Sequence, residues 1–302
     1  MLTEVIEYFP KSIQNIIDLY IAKNKSKENL IEEIRLRSSG NLSIKIGQEL
    51  INLSSNISKE DMQETFENIC EKSIYSYTKQ ISEGFITVKG GNRVGITGSA
   101  VMDKDKIINL NYISSLNFRI ARQIKDVSNS ILKYVINIED NSIYNTIIAS
   151  PPGGGKTTIL RDLVRKISDG MPEINFAPKI CGIVDERGEI AAMYKGIPQN
   201  DIGKNSDVIN NVPKSLGINM LIRSMSPQII ICDEIGSEQD IEAIEKATLS
   251  GTKGIFTAHA NNIKEIKQNP NLIKLIEKRL IQRILILNPI YKGEIKEVEE
   301  FN

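Results

Sequence analysis

The sequence contains no tryptophan, one histidine, three cysteines and no excess of either charge. Each scarcity closes off a class of function. Cys70, Cys181 and Cys232 are odd in number, far apart and outside any CxxC pair, which excludes a disulfide framework or a zinc ribbon and fits buried thiols in a reducing compartment. Lys plus Arg and Asp plus Glu both number 38, so the broad basic footprint of a nucleic-acid binder is missing and no nucleic acid is expected as a partner. No apolar run approaches the roughly 18 residues that span a bilayer. Residues 1–10 carry Glu4 and Glu7 instead of the basic n-region of a signal peptide. The expectation is a cytoplasmic protein that reaches a membrane only through protein partners.

The 302 residues are enough for two domains, and the texture changes near residue 125. Residues 1–125 read as a mixed α+β domain. Ile13, Ile16, Ile17, Tyr20 and Ile21 mark a helix over 11–25, and Met62, Phe66, Ile69 and Cys70 mark one over 59–80. Short alternating strands are expected at 33–37, 42–46, 85–88, 93–101, 106–112 and 117–121, punctuated by Gly84, Gly90, Gly91, Gly95 and Gly98. Residues 126–302 repeat strand, loop and helix. Apolar strands are expected at 146–149, 180–184, 229–232, 254–257 and 283–287, with helices at 157–167 and 238–249 between them and a final strand at 293–301. Buried strands alternating with helices imply a parallel sheet covered on both faces.

The central motif is Ser150-Pro151-Pro152-Gly153-Gly154-Gly155-Lys156-Thr157-Thr158, set between the strand at 146–149 and the helix at 157–167. Strand, glycine loop and helix is the context of a P-loop. Glycines let the loop that opens at Pro152 curl so that successive amides from Gly153 to Thr158 surround phosphate oxygens, and the helix N-terminus adds partial positive charge. Lys156 is the expected ligand of the β- and γ-phosphates of ATP, and the Thr157 hydroxyl of Mg2+. The usual first glycine of the motif is Ser150 here.

Three further strand ends carry polar chemistry, and in a parallel sheet ligands gather at the carboxyl ends of strands. Asp233 follows Ile229-Ile230-Ile231-Cys232 and is the second expected Mg2+ ligand; Glu234 is the expected general base. Asp185-Glu186-Arg187 ends another strand, with Glu186 a candidate for water activation or Mg2+ positioning, or else an ion-pair partner of Arg187 at the surface. His259, the single histidine, follows the strand at 254–257 and is a candidate γ-phosphate sensor. Phosphoryl transfer needs more positive charge than Lys156; Arg223, Arg119 and Arg122 are the candidates.

From residue 220 to 262 the chain resembles the secretion ATPases of type II and type IV systems. Leu221-Ile222-Arg223-Ser224-Met225-Ser226-Pro227 stands for their LR-x-x-PD segment, Asp233-Glu234-Ile235-Gly236 for the Walker B strand, and Thr257-Ala258-His259-Ala260-Asn261 for the His box. Asp185-Glu186-Arg187 lies where they have an Asp box. Over nearly its whole length the chain resembles the stage III sporulation AA family of endospore-forming bacteria. The resemblance is carried by Glu33-Ile34-Arg35-Leu36-Arg37, the stretch from Gly84 to Gly95, Asn117-Phe118-Arg119-Ile120-Ala121-Arg122, Asp185-Glu186-Arg187-Gly188-Glu189-Ile190, and Met193-Tyr194-Lys195-Gly196-Ile197-Pro198-Gln199. Asn92 replaces a histidine of the family pattern, and Ser150 a glycine. This resemblance implies a RecA-like P-loop core after a smaller α+β domain. It also implies a mother-cell ATPase that self-associates into a ring of six and serves membrane-embedded proteins of a channel to the forespore. The nucleotide would lie between the domains, which makes Arg119 and Arg122 candidate phosphate contacts.

The residues leave three readings open: a secretion or assembly motor, a DNA-translocating ATPase, and a nucleotide-dependent scaffold without useful hydrolysis. DNA-stimulated turnover marks the second, and a Glu234→Gln variant with wild-type sporulation marks the third.

Overall fold

A computed structural model describes residues 2–38, 40–53, 56–291 and 293–301. The chain divides into two compact units. The first runs through Arg122 and takes in Ala192–Gln199; the second is Gln123–Ala191 with the residues from Asn200 onward.

The first unit is an antiparallel sheet with helices packed on it. Its strands are β1 (Glu33–Arg37), β2 (Leu42–Ile46), β3 (Glu49–Leu53), β4 (Phe85–Thr87), β5 (Arg93–Asp103) and β6 (Lys106–Arg119), in the order β3-β2-β1-β6-β5-β4. Strand alternation puts one apolar residue per strand into a single row across the sheet. Ile44 pairs with Ile34, Ile34 with Phe118, Phe118 with Val94, and Val94 with Ile86. All five are buried together with Ile13 and Ile17 of helix Lys11–Lys23 and Met62, Phe66 and Ile69 of helix Lys59–Ile69. The Phe9 and Phe118 rings meet at 4.5 Å. Each such side chain contributes about 1.5–3 kcal/mol by leaving water.

Two local expectations are corrected here, and one strand was not foreseen. The helix at 59–80 stops at Ile69, because Glu71 and Lys72 both adopt left-handed backbone, and a short helix Thr78–Ser82 follows separately. The two strands at 106–112 and 117–121 are one, with shifts in register against β5 between Thr97 and Ser99 and between Val101 and Met102. β3 lies at an edge and has little apolar burial, so it left no pattern to read. Membership of 192–199 in this unit also has no counterpart in the sequence reading. Gln199 Oε1 accepts from the Gly90 amide at 2.8 Å, Lys195 pairs with Glu71 at 2.5 Å, and the Tyr194 hydroxyl donates to Glu71.

The second unit opens with a two-residue ladder, β7 (Ile136–Asn137) with β8 (Ser142–Ile143). Its main sheet contains β9 (Thr146–Ala149), β10 (Cys181–Asp185), β11 (Ser206–Asn210), β12 (Ile229–Cys232), β13 (Lys253–Ala258), β14 (Arg283–Leu287) and β15 (Ile295–Glu300). The order is β11-β10-β12-β13-β9-β14-β15, parallel except for the last pair. Every residue of β9, β10, β12 and β14 is buried, as expected of strands covered on both faces. Helices Lys156–Asp169, Lys214–Met225 and Glu238–Leu249 alternate with them. The last begins at a reciprocal cap: Ser237 accepts from the Asp240 amide, and the Asp240 carboxylate accepts from the Ser237 amide. β11 was not foreseen; all five of its residues are only half-buried, so it carries no apolar run.

This order places the sites. β10, β12, β13 and β9 are consecutive neighbours running the same way, so their carboxyl ends lie side by side. Those ends carry Asp185, Asp233, His259 and the glycine loop.

Candidate active site

The glycine loop turns through Gly153 and Gly155, both in left-handed backbone (φ +76° and +85°), and Gly155 caps the helix Lys156–Asp169. Gly154 lies against the buried Ser150, whose hydroxyl would collide with any Cβ at position 154. Lys156 is the first residue of the helix and is only 5% exposed. Its ammonium donates to the carbonyl oxygens of Ser150 (2.9 Å) and Pro151 (3.3 Å). Burial pushes its pKa down, against the opposing pull of Asp233 and Glu234.

Asp233 meets the helix from the next but one strand. The Thr157 hydroxyl donates to its Oδ2 at 2.8 Å, and the Thr257 hydroxyl of β13 donates to Oδ1. Thr257 Oγ1 in turn accepts from the Glu234 amide at 2.8 Å. One β13 threonine thus orients both acidic residues after β12. Glu234 is held in left-handed backbone (φ +50°), an uncommon conformation for a residue with a side chain that is tolerated where its surroundings fix it.

Both carboxylate oxygens of Glu234 are engaged. Arg187 Nη1 lies 2.5 Å from Oε2, and His259 Nε2 lies 3.0 Å from Oε1. The other nitrogen of His259, Nδ1, is 3.2 Å from Lys156 Nζ. An ammonium can only donate. Nδ1 is therefore the acceptor, Nε2 carries the hydrogen, and His259 donates it to Glu234. Lysine, histidine, glutamate and arginine form one relay from the glycine loop to the loop after β10.

That second loop is built on Asp185, which is 1% exposed. Its Oδ1 accepts from the amides of Glu189 (2.8 Å) and Ile190 (3.1 Å), and its Oδ2 from that of Ala191 (2.9 Å). Arg161, one turn into the helix after the glycine loop, donates to the carbonyls of Ile190 (2.9 Å) and Glu189 (2.6 Å). The loop that carries Glu186 and Arg187 is thereby pinned at its base. A narrow cleft there is lined by Asp185, Glu186, Arg187, Lys214, Asp233 and Glu234.

The structure brings together the glycine loop, Lys156, Thr157, Asp233, Glu234 and His259. It corrects the pairing at Glu186, whose partner is Lys214 of helix Lys214–Met225; Arg187 goes to Glu234. Arg223 is exposed near the end of the same helix and does not line the cleft. Arg119 and Arg122 belong to the first unit, where Arg122 donates to the Ile31 carbonyl at 2.7 Å. Arg187 and Arg161 were missed as site residues. The strand order alone could have found Arg187, since it places the loop after β10 beside the end of β12.

The donors fit a hard divalent cation. Thr157 Oγ1 and Asp233 Oδ2 are two oxygens within 2.8 Å of each other, and Mg2+ favours one or two carboxylates plus phosphate oxygens and water. Among the described residues no cluster of three His, Cys, Asp or Glu side chains could hold a metal without such help.

The family model described as "Sporulation stage III, protein AA" matches residues 5–300. Stage III sporulation protein AA of Bacillus subtilis (strain 168) is 36% identical over 95% of this chain and 91% of its own. An uncharacterised protein, ycf45, of Porphyra purpurea is 29% identical over 62% of this chain but only 31% of its own length. Among solved structures, the ATPase DotB of Legionella pneumophila superposes with a TM-score of 0.56 over 89% of this chain and 75% of its own at 12% identity. The pilus retraction motor PilT with bound ADP gives 0.57 over 88% and 77% at 14% identity. These likenesses establish the fold: an α/β, RecA-like P-loop core with a parallel-rich sheet, preceded by a smaller α+β domain. No helix among the described residues is long and apolar enough to cross a membrane. With a match from residue 5 to residue 300, the chain belongs to the sporulation stage III, protein AA family.

Proposed function

We propose that the chain is a Mg2+-dependent ATP hydrolase of the secretion-ATPase type. It assembles as a homohexameric ring on the cytoplasmic face of membrane proteins that connect mother cell and forespore, and it powers or builds that channel. One observation carries the reading: the Thr157–Asp233 hydrogen bond of 2.8 Å, with Lys156 one residue away and Glu234 one residue beyond. Residues from two strand ends, 76 positions apart in sequence, converge where a terminal phosphate and its metal would sit.

The roles follow from the geometry. The glycine-loop amides and the helix N-terminus receive phosphate oxygens. Lys156 turns from the Ser150 and Pro151 carbonyls to the β- and γ-phosphates. Thr157 and Asp233 would hold Mg2+, which when bound would supply positive charge to the phosphate oxygens as negative charge develops on them. Glu234 accepts the proton of the attacking water, with its carboxylate oriented by the His259 Nε2 hydrogen. His259 touches both Lys156 and Glu234, so it registers whether the lysine has moved to phosphate.

The test is ATP turnover by purified protein, with oligomer mass recorded with and without ATP and Mg2+. Turnover is expected in the wild type and lost in Lys156→Ala and Glu234→Gln, with Glu234→Gln still binding nucleotide. If Glu234→Gln also supports normal sporulation, hydrolysis is dispensable and the protein is a nucleotide-dependent scaffold.

A further inference from the structure

We infer that Arg187 is a two-position switch: it masks the general base Glu234 in one position and contacts the γ-phosphate of ATP in the other. The inference rests on the ATPase reading above and adds a residue that nothing in that reading uses.

The first observation is occupancy of the base. A carboxylate that takes a proton from water needs an oxygen free to face that water. Here Oε1 receives His259 and Oε2 receives Arg187 at 2.5 Å. His259 can stay, since it orients the carboxylate. Arg187 competes with water for the outer oxygen, so its departure opens that oxygen to the base's task.

The second is ease of exchange. The Arg187 side chain is 64% exposed and Glu234 21%. A pair so open to water is held loosely. The terminal phosphate group of a triphosphate carries more negative charge than one carboxylate and accepts the guanidinium fork equally well. Arriving phosphate therefore competes with Glu234 for Arg187.

The third is reach with a fixed pivot. Asp185 and Arg161 hold the backbone of Glu189, Ile190 and Ala191 just after Arg187, which gives the arginine side chain a fixed base from which to swing. Arg187 is separated from the P-loop lysine by one carboxylate and one imidazole, and it lines the same cleft as Asp233 and Glu234. Of the other cations described at the site, Arg161 is taken by the loop carbonyls and Lys214 by Glu186, which leaves Lys156 for the phosphates. The switch would couple exposure of the base to the presence of a third phosphate, so that ADP leaves Glu234 masked.

The experiment is a double-mutant cycle on binding. Affinities for the non-hydrolysable analogue adenylyl imidodiphosphate and for ADP, each with Mg2+, are measured by calorimetry for the wild type, Arg187→Ala, Glu234→Gln and the double variant. Glu234→Gln removes the competing charge, so the analogue-to-ADP preference rises about fivefold or more, and this gain disappears in the Arg187→Ala background. Arg187→Ala alone lowers the preference, and Arg187→Lys, which keeps the charge, restores part of it. A gain in Glu234→Gln that survives in the double variant overturns the inference, since relief of carboxylate–phosphate repulsion then explains it. No gain at all also overturns it. Wild-type protein that binds neither nucleotide refutes the ATPase reading itself and the switch with it. Binding by the wild type without coupling refutes the switch alone.

Discussion

Replacing Gly154 by alanine puts a methyl group where the structure has no room. The added Cβ would overlap the Ser150 hydroxyl and Cβ and lie 3.1 Å from the Pro151 carbonyl oxygen. Ser150 is fully buried, and its hydroxyl donates to Pro151 O at 2.9 Å, so it cannot swing into solvent. The loop has to shift, and overpacking of this kind costs about 1–3 kcal/mol. If the phosphate-binding conformation bears that cost, nucleotide affinity falls by roughly five- to 150-fold. Two of the three close contacts come from the Ser150 side chain, so Ser150→Gly on top of Gly154→Ala should return most of the affinity. Ser150→Gly alone should change it by less than about threefold, because the hydroxyl bonds only Pro151 O and, at 3.5 Å, the Lys156 ammonium, which gives up that contact on turning to phosphate. Calorimetric titration of the four proteins with ADP and Mg2+, alongside their melting temperatures, reads the cycle. Wild-type affinity in Gly154→Ala, or a double variant no better than the single, would refute the packing argument.

Asp185→Ala should cost at least about 3 kcal/mol in urea unfolding, since three loop amides lose their acceptor and buried unsatisfied donors cost about 1–3 kcal/mol each; a midpoint like that of the wild type would show that the loop finds other partners. Asp162 gives an acid prediction. Burial alone would raise its pKa, but hydrogen bonds from the Ser128 hydroxyl and amide, at 2.6 and 2.9 Å, and the Arg165 guanidinium at 2.7 Å win and hold it below the ordinary range. A depressed carboxyl stabilises the fold above its unfolded pKa of about 3.9 and loses that contribution as pH falls through the folded value. Asp162→Asn should therefore flatten the stability loss from about pH 4 downward, and an unchanged acid limb would contradict this. All three thiols are buried. Burial pushes Cys70 and Cys181 up to about 12 and Cys232 upward as well, so Ellman's reagent at pH 8 should label none in the native protein and three after denaturation.

Much of the second unit was legible from residues alone, and the reason is physical. Strands buried on both faces are continuous apolar runs, so 146–149, 229–232 and 283–287 could be bounded to the residue. Edge strands lack that signal: Glu49–Leu53 and Ser206–Asn210 bury too little to mark themselves. The helix ending at Ile69 was overrun because no glycine or proline announces the left-handed pair Glu71 and Lys72. In the site, Lys156, Thr157, Asp233, Glu234 and His259 stood out because each follows a recognisable strand or glycine loop. Arg187 was read only as a surface ion-pair partner, since pairing with Glu234 rather than Glu186 depends on strand order. Asp185 was read only as part of a strand-end acidic cluster, with no role of its own, whereas its oxygens are taken up by three backbone amides, which a linear pattern cannot reveal.

The central claim is that amides 153–158, Lys156, Thr157 and Asp233 enclose the terminal phosphates of one Mg2+-bound nucleotide. Calorimetric titration of the folded wild-type chain with ATP, with Mg2+ and again in excess EDTA, tests it most directly when repeated on Lys156→Ala and Asp233→Asn. Saturable binding at one nucleotide per chain is expected, weakened by removing the metal or either side chain. Folded wild-type protein that releases no heat, or binding indifferent to Lys156, Asp233 and Mg2+ alike, would contradict the account.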